Sequence, residues 1–125
     1  MGEAEVGKTC LIKRFCEGRF ESKYIPTIGL DYGMQKVTVR NKPVMVVNSH
    51  QMTIFDLSGD PIYEPAVTEY FANLQILLVC YDATDKDTLT AAEKWINRIS
   101  PKSSLKEATG FLVACKKDLL KTSVF

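Results

Sequence analysis

The apolar positions near the start of the chain recur at spacings of three and four residues. They are Leu11, Ile12, Phe15, Cys16 and Phe20. Such spacing is typical of one face of a helix, and Gly18 predicts where the helix ends. A glycine-containing loop precedes this helix at Gly2 to Thr9. The chain therefore opens with a loop that runs directly into a helix.

The next segment alternates apolar and polar residues. Leu30 to Arg40 predicts a strand, and Asn41 to Pro43 predicts a turn into a second strand that begins with Val44 to Val47. The polar run Asn48 to Gln51 interrupts this second strand and predicts a bulge or loop, with His50 as a surface loop residue. This segment is therefore a predicted hairpin with a break in its second strand.

Strands and helices alternate in the rest of the chain. Gln75 to Asp82 and Gly110 to Cys115 are apolar runs without alternation, which predicts strands covered on both faces. A short helix is predicted over Ala66 to Leu74, and a longer one, capped by Asp87, carries an apolar stripe around Trp95. This order predicts an α/β fold with a mainly parallel sheet.

Length and charge fit one globular domain over residues 1 to 125 with a net charge of +1. Near neutrality argues against a general nucleic-acid or anionic-membrane binder. The four cysteines are widely spaced and form no CxxC pair, which argues against zinc and for a reducing, cytoplasmic location. No apolar run approaches the ~20 residues of a membrane span.

Gly2 to Thr9 matches the phosphate-binding pattern GxxxxGK[ST]. The glycines Gly2 and Gly7 let backbone N–H groups converge on one anion at the start of a helix. Lys8 would neutralise the β- and γ-phosphate oxygens, and Thr9 would offer its hydroxyl to Mg²⁺. The sequence therefore predicts a site for a nucleoside polyphosphate with magnesium.

Three later residues in two segments complete this predicted site. Asp56 ends a strand and begins Asp-x-x-Gly, so Asp56 would hold Mg²⁺ through water and Gly59 would give its N–H to a γ-phosphate. Thr27 lies in the irregular connection Glu21 to Gly29, where its hydroxyl could join the Mg²⁺ ligands when a γ-phosphate is present. That dependence would make the connection a switch.

A predicted base-binding segment follows the last apolar strand, at Cys115 to Asp118. Guanine presents N1–H and N2–H₂ side by side, so the carboxylate of Asp118 can accept both, and adenine offers no such pair. The aliphatic stem of Lys116 would cover the ring. A charged loop without a ligand is the alternative interpretation.

These motifs, in this order, resemble the Ras superfamily of small GTPases. Tyr24 to Val37 looks like the Rab branch, and Gly2 to Phe20 followed by TIGLDYG is similar to the Rab-like RJL group, some members of which carry a J domain. The resemblance implies a six-stranded sheet with helices on both faces, a GTP/GDP switch, and contacts with effector, exchange-factor or activating proteins through Leu30 to Val37 and Ser58 to Tyr70. It adds three predicted nucleotide contacts, which are Glu5, Val6 and Cys10.

Several residues depart from the family pattern. Asp60 stands where most relatives have a water-positioning glutamine, and Ala4 stands where many have glycine. With Thr27, Asp60 is the predicted catalytic position, and its carboxylate would repel the γ-phosphate, so we expect slow hydrolysis. Cys115 replaces the asparagine of the base-binding motif and weakens it.

The resemblance also predicts that the chain lacks the family's first strand and its last strand and helix, with no lipid anchor in view. It carries surplus residues near Val47 to Met52, where an insertion would have to loop out or break the strand pairing. A GTPase-like interaction module that binds nucleotide poorly is an alternative function. A phosphate-loop kinase or ATPase is another, which Asp118 and the Asp56 motif disfavour.

Overall fold

The computed structural model describes residues 1–41, 46–72, 74–99 and 108–120. Its helices and strands are α1 (Lys8–Glu17), β1 (Leu30–Asn41), β2 (Val46–Leu57), α2 (Glu64–Val67), β3 (Ile76–Asp82), α3 (Lys86–Ile99) and β4 (Thr109–Cys115). Three single turns of 3-10 helix lie at Pro61–Tyr63, Thr68–Phe71 and Lys117–Leu119. The predicted order of elements is confirmed, although the short helix predicted over Ala66 to Leu74 begins and ends earlier, at residues 61 to 71.

Strands β1 and β2 form an antiparallel hairpin with an unbroken register from Leu30 opposite Leu57 to Asn41 opposite Val46. The predicted break at Asn48 to Gln51 is wrong, because these residues continue the ladder and His50 pairs with Val37. A two-stranded ribbon tolerates polar residues on both faces, so the surplus lengthens the hairpin without looping out. The predicted turn residues Lys42 and Pro43, and Val44, lie outside the described residues.

Strands β3 and β4 pair in parallel, with Asp82 opposite Cys115 at their carboxyl ends. Helix α3 packs on β3, and Ala92, Trp95 and Ile99 reach the core. The predicted stripe is confirmed at these three positions, but Leu89 and Ile96, which the pattern also placed in it, are 39% and 41% exposed. Asp85, not Asp87, caps this helix, since the Asp85 carboxylate accepts the Asp87 N–H at 2.9 Å. The other buried residues of the core cluster that contains Ala92, Trp95 and Ile99 are Met1, Leu57, Val67, Phe71, Leu77 and Val79.

The sheet differs from the expectation in two respects. The described residues form two separate two-stranded sheets, where the resemblance implied one six-stranded sheet. Strand β4 was also predicted to be covered on both faces, which is wrong, because Phe111 and Leu112 are 53% and 56% exposed. An apolar run therefore identified the strand, but its cover depends on which elements pack over it.

One edge of β3 is occupied by the start of the chain. The Cys80 N–H donates to the Met1 carbonyl at 2.7 Å, and the Met1 amine donates to the Leu78 carbonyl at 2.7 Å. These bonds fix the first residues of the glycine loop beside the parallel pair. The loop, the end of β2 and the carboxyl ends of β3 and β4 are thereby positioned around one region.

Candidate functional site

The glycine loop turns sharply before α1. Gly2 and Gly7 have φ values of +139° and +108°, and Glu5, at +64°, also adopts a left-handed conformation. A Cβ on Gly2 would overlap the carbonyl oxygen of Cys80, so only glycine fits there. Val6 is fully buried and anchors the loop, whereas Glu5 is exposed. This winding is typical of backbone cradles that bind anions.

The side chain of Lys8 lies under the loop. It is buried, and its Nζ donates to the carbonyl oxygens of Gly2 at 3.0 Å and Glu3 at 2.6 Å. Burial lowers the pKa of Lys8, and the negative charge of Asp56 opposes that shift. Burial makes the charged form of Lys8 costly, and a phosphate bound at the loop would add negative charge that favours it.

The three predicted metal ligands meet beside Lys8. The Thr9 Oγ1 lies 2.8 Å from the Thr27 Oγ1, and the Thr9 hydroxyl also donates to Oδ2 of Asp56. The other carboxylate oxygen, Asp56 Oδ1, is buried and has no hydrogen-bond partner among the described residues. Burial raises the pKa of Asp56, while the Thr9 hydrogen bond and Lys8 lower it.

This donor set fits magnesium. Mg²⁺ prefers hydroxyl, carboxylate and water oxygens, and the set offers two hydroxyls and one carboxylate. A divalent cation would also give Asp56 Oδ1 the partner that it lacks among the described residues, directly or through water. The residues present therefore match the ion that the sequence predicts.

The segment after β2 lies directly on the loop. Gly59 is buried, and a Cβ placed on it would overlap the backbone nitrogen of Ala4. The next residue, Asp60, is exposed, and its Oδ1 accepts the Ile62 N–H at 3.0 Å, so it caps the 3-10 turn Pro61–Tyr63. The structure thus brings Gly59 to the loop and occupies the Asp60 carboxylate with a local cap.

The predicted base-binding residues follow β4. Lys116 has φ +58°, and its Nζ forms an ion pair with Asp82 Oδ2 at 2.7 Å. Cys115 lies against the loop, because a Cβ on Gly7 would be 3.3 Å from the Cys115 Cβ. Asp118 is exposed in the turn Lys117–Leu119.

Cys10 was also predicted to contact nucleotide. Its half-buried thiol donates to the Glu21 carbonyl at 3.7 Å, which ties α1 to the connection that carries Thr27. The structure therefore gives Cys10 a contact within the protein, and its predicted contact with nucleotide stays a prediction.

Asp82, which forms the ion pair with Lys116, belongs to none of the motifs in the sequence. Its Oδ1 also accepts the Thr84 N–H at 2.8 Å and the Thr84 hydroxyl at 2.6 Å. A sequence signal existed, since Asp82 and Lys116 both lie at the carboxyl ends of parallel strands, which share one edge of a sheet.

We expect the Asp82 pair to make stability depend on acid pH. The hydrogen bonds from Lys116 and Thr84 lower the pKa of Asp82 from 3.8 to about 2. Because the pKa of Asp82 is lower in the folded state, the pair stabilises the fold fully above pH 3.8, and this stabilisation is lost as the pH falls through about 2. When thermal unfolding is measured from pH 6 to pH 2, the melting temperature of Asp82→Asn should fall by less than that of the wild type. Parallel curves for the two proteins would contradict this assignment.

Comparison with known proteins decides the family. The model of the Ras family matches residues 1–124. The chain belongs to the Ras family. It is 38% identical over 125 residues to DnaJ homolog subfamily C member 27 of Homo sapiens, covering 97% of this chain and 44% of that protein. The Bos taurus relative of the same name is 45% identical over 96 residues (77% and 33%), and the Danio rerio relative 34% identical over 128 (99% and 45%).

This Ras-family membership confirms the predicted small GTPase class and the phosphate loop, and the structure confirms an α/β fold with a parallel pair of strands. The DnaJ name of the relatives confirms the resemblance to the J-domain-associated Rab-like group. The chain spans less than half the length of these relatives. Ras-family membership implies guanine nucleotide binding, usually with Mg²⁺, together with regulator and effector proteins. Within the described residues, no helix has the length and apolar character to cross a membrane.

Proposed function

We propose that this Ras-family chain is a Rab-like switch that binds GTP and GDP with Mg²⁺ in the cytoplasm and hydrolyses GTP slowly. The proposal is supported by the contacts of Thr9, Thr27 and Asp56 beside Lys8. Asp56 Oδ1 is buried there and has no hydrogen-bond partner in the part of the chain that the structure describes. When bound, Mg²⁺ would neutralise phosphate charge and help to orient the reacting oxygens.

Different residues of this chain would bind the phosphates, the metal and the base. The loop N–H groups and Lys8 bind the phosphates, and Thr9, Thr27 and Asp56 hold the metal. Asp118 selects guanine, while Asp82 fixes Lys116 beside it through the 2.7 Å ion pair. Because Thr27 belongs to the connection before β1, loss of the γ-phosphate would release this connection and change the exposed surface that partners contact.

The proposed partner surface comprises Leu30 to Val37 and Ser58 to Tyr70. On β1, Tyr32 and Met34 are 60% and 53% exposed, and Ile62 of the second segment is 73% exposed. Exposed aromatic and aliphatic side chains of this kind are frequent anchors in protein interfaces. Both segments also adjoin the metal ligands, so their conformation would follow the nucleotide.

The proposal is tested by competition against fluorescent GDP in the presence of Mg²⁺. We expect unlabelled GTP and GDP to displace the probe at far lower concentrations than ATP, because ATP lacks the paired donors that Asp118 accepts. Removing Mg²⁺ with a chelator should weaken binding. Equal displacement by ATP would contradict the role of Asp118, and the absence of any nucleotide binding would contradict the switch.

Two observations favour the second candidate, an interaction module that binds nucleotide poorly. The Lys8 ammonium already donates to two loop carbonyls, and Gly59 is packed against Ala4. A folded protein that shows no GDP binding in the same titration would support this candidate.

Hydrolysis is expected to be limited at position 60. The Asp60 carboxylate accepts the Ile62 N–H as a helix cap, and its negative charge would repel phosphate. Asp60→Gln should therefore raise the single-turnover GTPase rate. Asp60→Asn, which keeps the short side chain and removes the charge, is the matched control that separates length from charge. If Asp60→Gln and the wild type hydrolyse GTP at the same rate, Asp60 is not the limiting residue.

A further inference from the structure

Trp95 is the one tryptophan of the chain, and its indole N–H points to the phosphate loop. The ring is 3% exposed on the core face of α3, and Nε1 donates to Glu3 Oε1 at 2.9 Å. A buried indole needs an acceptor, and this one takes a side chain 92 positions away in the sequence. The stripe around Trp95 is therefore more than core packing.

Glu3 lies at a critical point of the loop. Its carbonyl oxygen accepts the Lys8 ammonium at 2.6 Å, and its carbonyl carbon lies where a Cβ on Gly59 would overlap it. A shift of Glu3 would move the anchor of Lys8 and the contact with Gly59 together. The indole of Trp95 thus fixes a residue that touches both the phosphate-binding lysine and the segment after β2.

Trp95 is also connected to the segment after β2 through Arg98. The guanidinium of Arg98 lies 5.6 Å from the Trp95 ring centroid, and its Nη1 is 3.6 Å from Glu64 Oε2. Val67, which follows Glu64 in α2, is fully buried in the cluster that contains Trp95. Helix α3 therefore bonds to Glu3 of the loop and to Glu64, and it shares a core cluster with Val67. Glu64 and Val67 both belong to Ser58 to Tyr70, which we call the switch segment.

We propose that Trp95 is a positioning residue that couples the phosphate loop to the switch segment, through Glu3 on one side and through Arg98 and Glu64 on the other. The functional role of this coupling rests on the proposed nucleotide binding. A nucleotide bound at the loop would change the conformation of the switch segment through α3. This route is separate from the direct contact of Gly59 with the loop.

Hydrogen exchange measured by mass spectrometry tests the coupling on the whole chain. Glu3→Ala removes the acceptor at the surface of the loop and leaves the core intact. We expect it to accelerate exchange of the switch segment about ten-fold, as well as that of the loop. Glu3→Gln keeps a carbonyl oxygen for the indole and should restore wild-type exchange. Lys94→Ala, at an exposed position of α3, is the control.

Three further readouts separate coupling from general loosening. The fluorescence of Trp95 should change in Glu3→Ala and not in Lys94→Ala, because only the former loses the indole hydrogen bond. GDP dissociation should become about ten-fold faster in Glu3→Ala. Combining Glu3→Ala with Arg98→Ala should accelerate switch-segment exchange by less than the product of the single effects.

The outcomes distinguish this coupling from the proposed function. Faster exchange confined to residues 2 to 8 in Glu3→Ala, or equal effects of Glu3→Ala and Glu3→Gln, would overturn the coupling. A wild-type protein that binds no GDP would contradict the proposed function, and the exchange data on the nucleotide-free protein would still decide the coupling.

Discussion

Lys8→Ala is expected to weaken GDP binding by roughly 30-fold or more, equivalent to about 2 kcal/mol. The Lys8 ammonium is buried and would make charge-assisted bonds to phosphate in a water-poor site, where each such bond is strong. Titration with fluorescent GDP in Mg²⁺ measures the loss. The unfolding free energy of the nucleotide-free protein should change far less than the binding free energy. Burial lowers the pKa of Lys8 and makes its charge costly when no ligand is bound.

Lys13→Ala is the matched control, since Lys13 lies on the same helix and has the same charge. It should bind GDP like the wild type. Equal GDP affinities for Lys8→Ala and Lys13→Ala would show that Lys8 does not contact the phosphates, and the phosphate-loop assignment would fail.

Asp56→Asn is expected to separate stability from metal dependence. It removes a buried charge whose Oδ1 has no partner within the described ranges of the chain, so the unfolding free energy of the metal-free protein should stay constant or rise by up to ~1 kcal/mol. The same change should abolish the difference between GDP affinities measured with Mg²⁺ and with a chelator. Chemical unfolding and fluorescent GDP titration provide the two measurements.

Asp31→Asn controls for the loss of a carboxylate at this level of the hairpin, because Asp31 pairs with Asp56 across β1 and β2 but is exposed. It should leave the Mg²⁺ dependence intact. A large loss of metal-free stability in Asp56→Asn would mean that Asp56 is a structural residue. An unchanged Mg²⁺ dependence would remove it from the metal site.

Local patterns predicted most of the elements. The spacing in α1 and around Trp95, and the alternation in β1, depend on neighbouring residues and were confirmed. The break at Asn48 to Gln51 was wrong, because strand continuity depends on the partner strand, and β1 supplies a residue opposite each of them. The burial of β4 was wrong because an apolar sequence does not determine what covers it.

In the candidate site too, some contacts could be predicted from local motifs and others could not. The predictions for Lys8, Thr9 and Asp56 came from motifs whose spacing reflects the geometry of a phosphate and a metal, and the structure brings these side chains together. The bonds from Trp95 to Glu3 and from Lys116 to Asp82 join distant positions. No motif encodes the Trp95 bond, which became visible only once α3 was in place. For the Lys116 pair, the sequence indicated only that both residues follow apolar strands, and the pairing of β3 with β4 brings them together.

The most direct measurement is the identity of the nucleotide that leaves the protein after native purification and denaturation. The chain is purified in Mg²⁺ without added nucleotide, and the released material is separated by ion-exchange chromatography. We predict GDP or GTP in an amount approaching one per chain, and its loss in Lys8→Ala purified in parallel. Adenine nucleotide in its place, or a folded protein without nucleotide, would contradict a guanine-nucleotide switch built on Lys8, Thr9, Thr27 and Asp56.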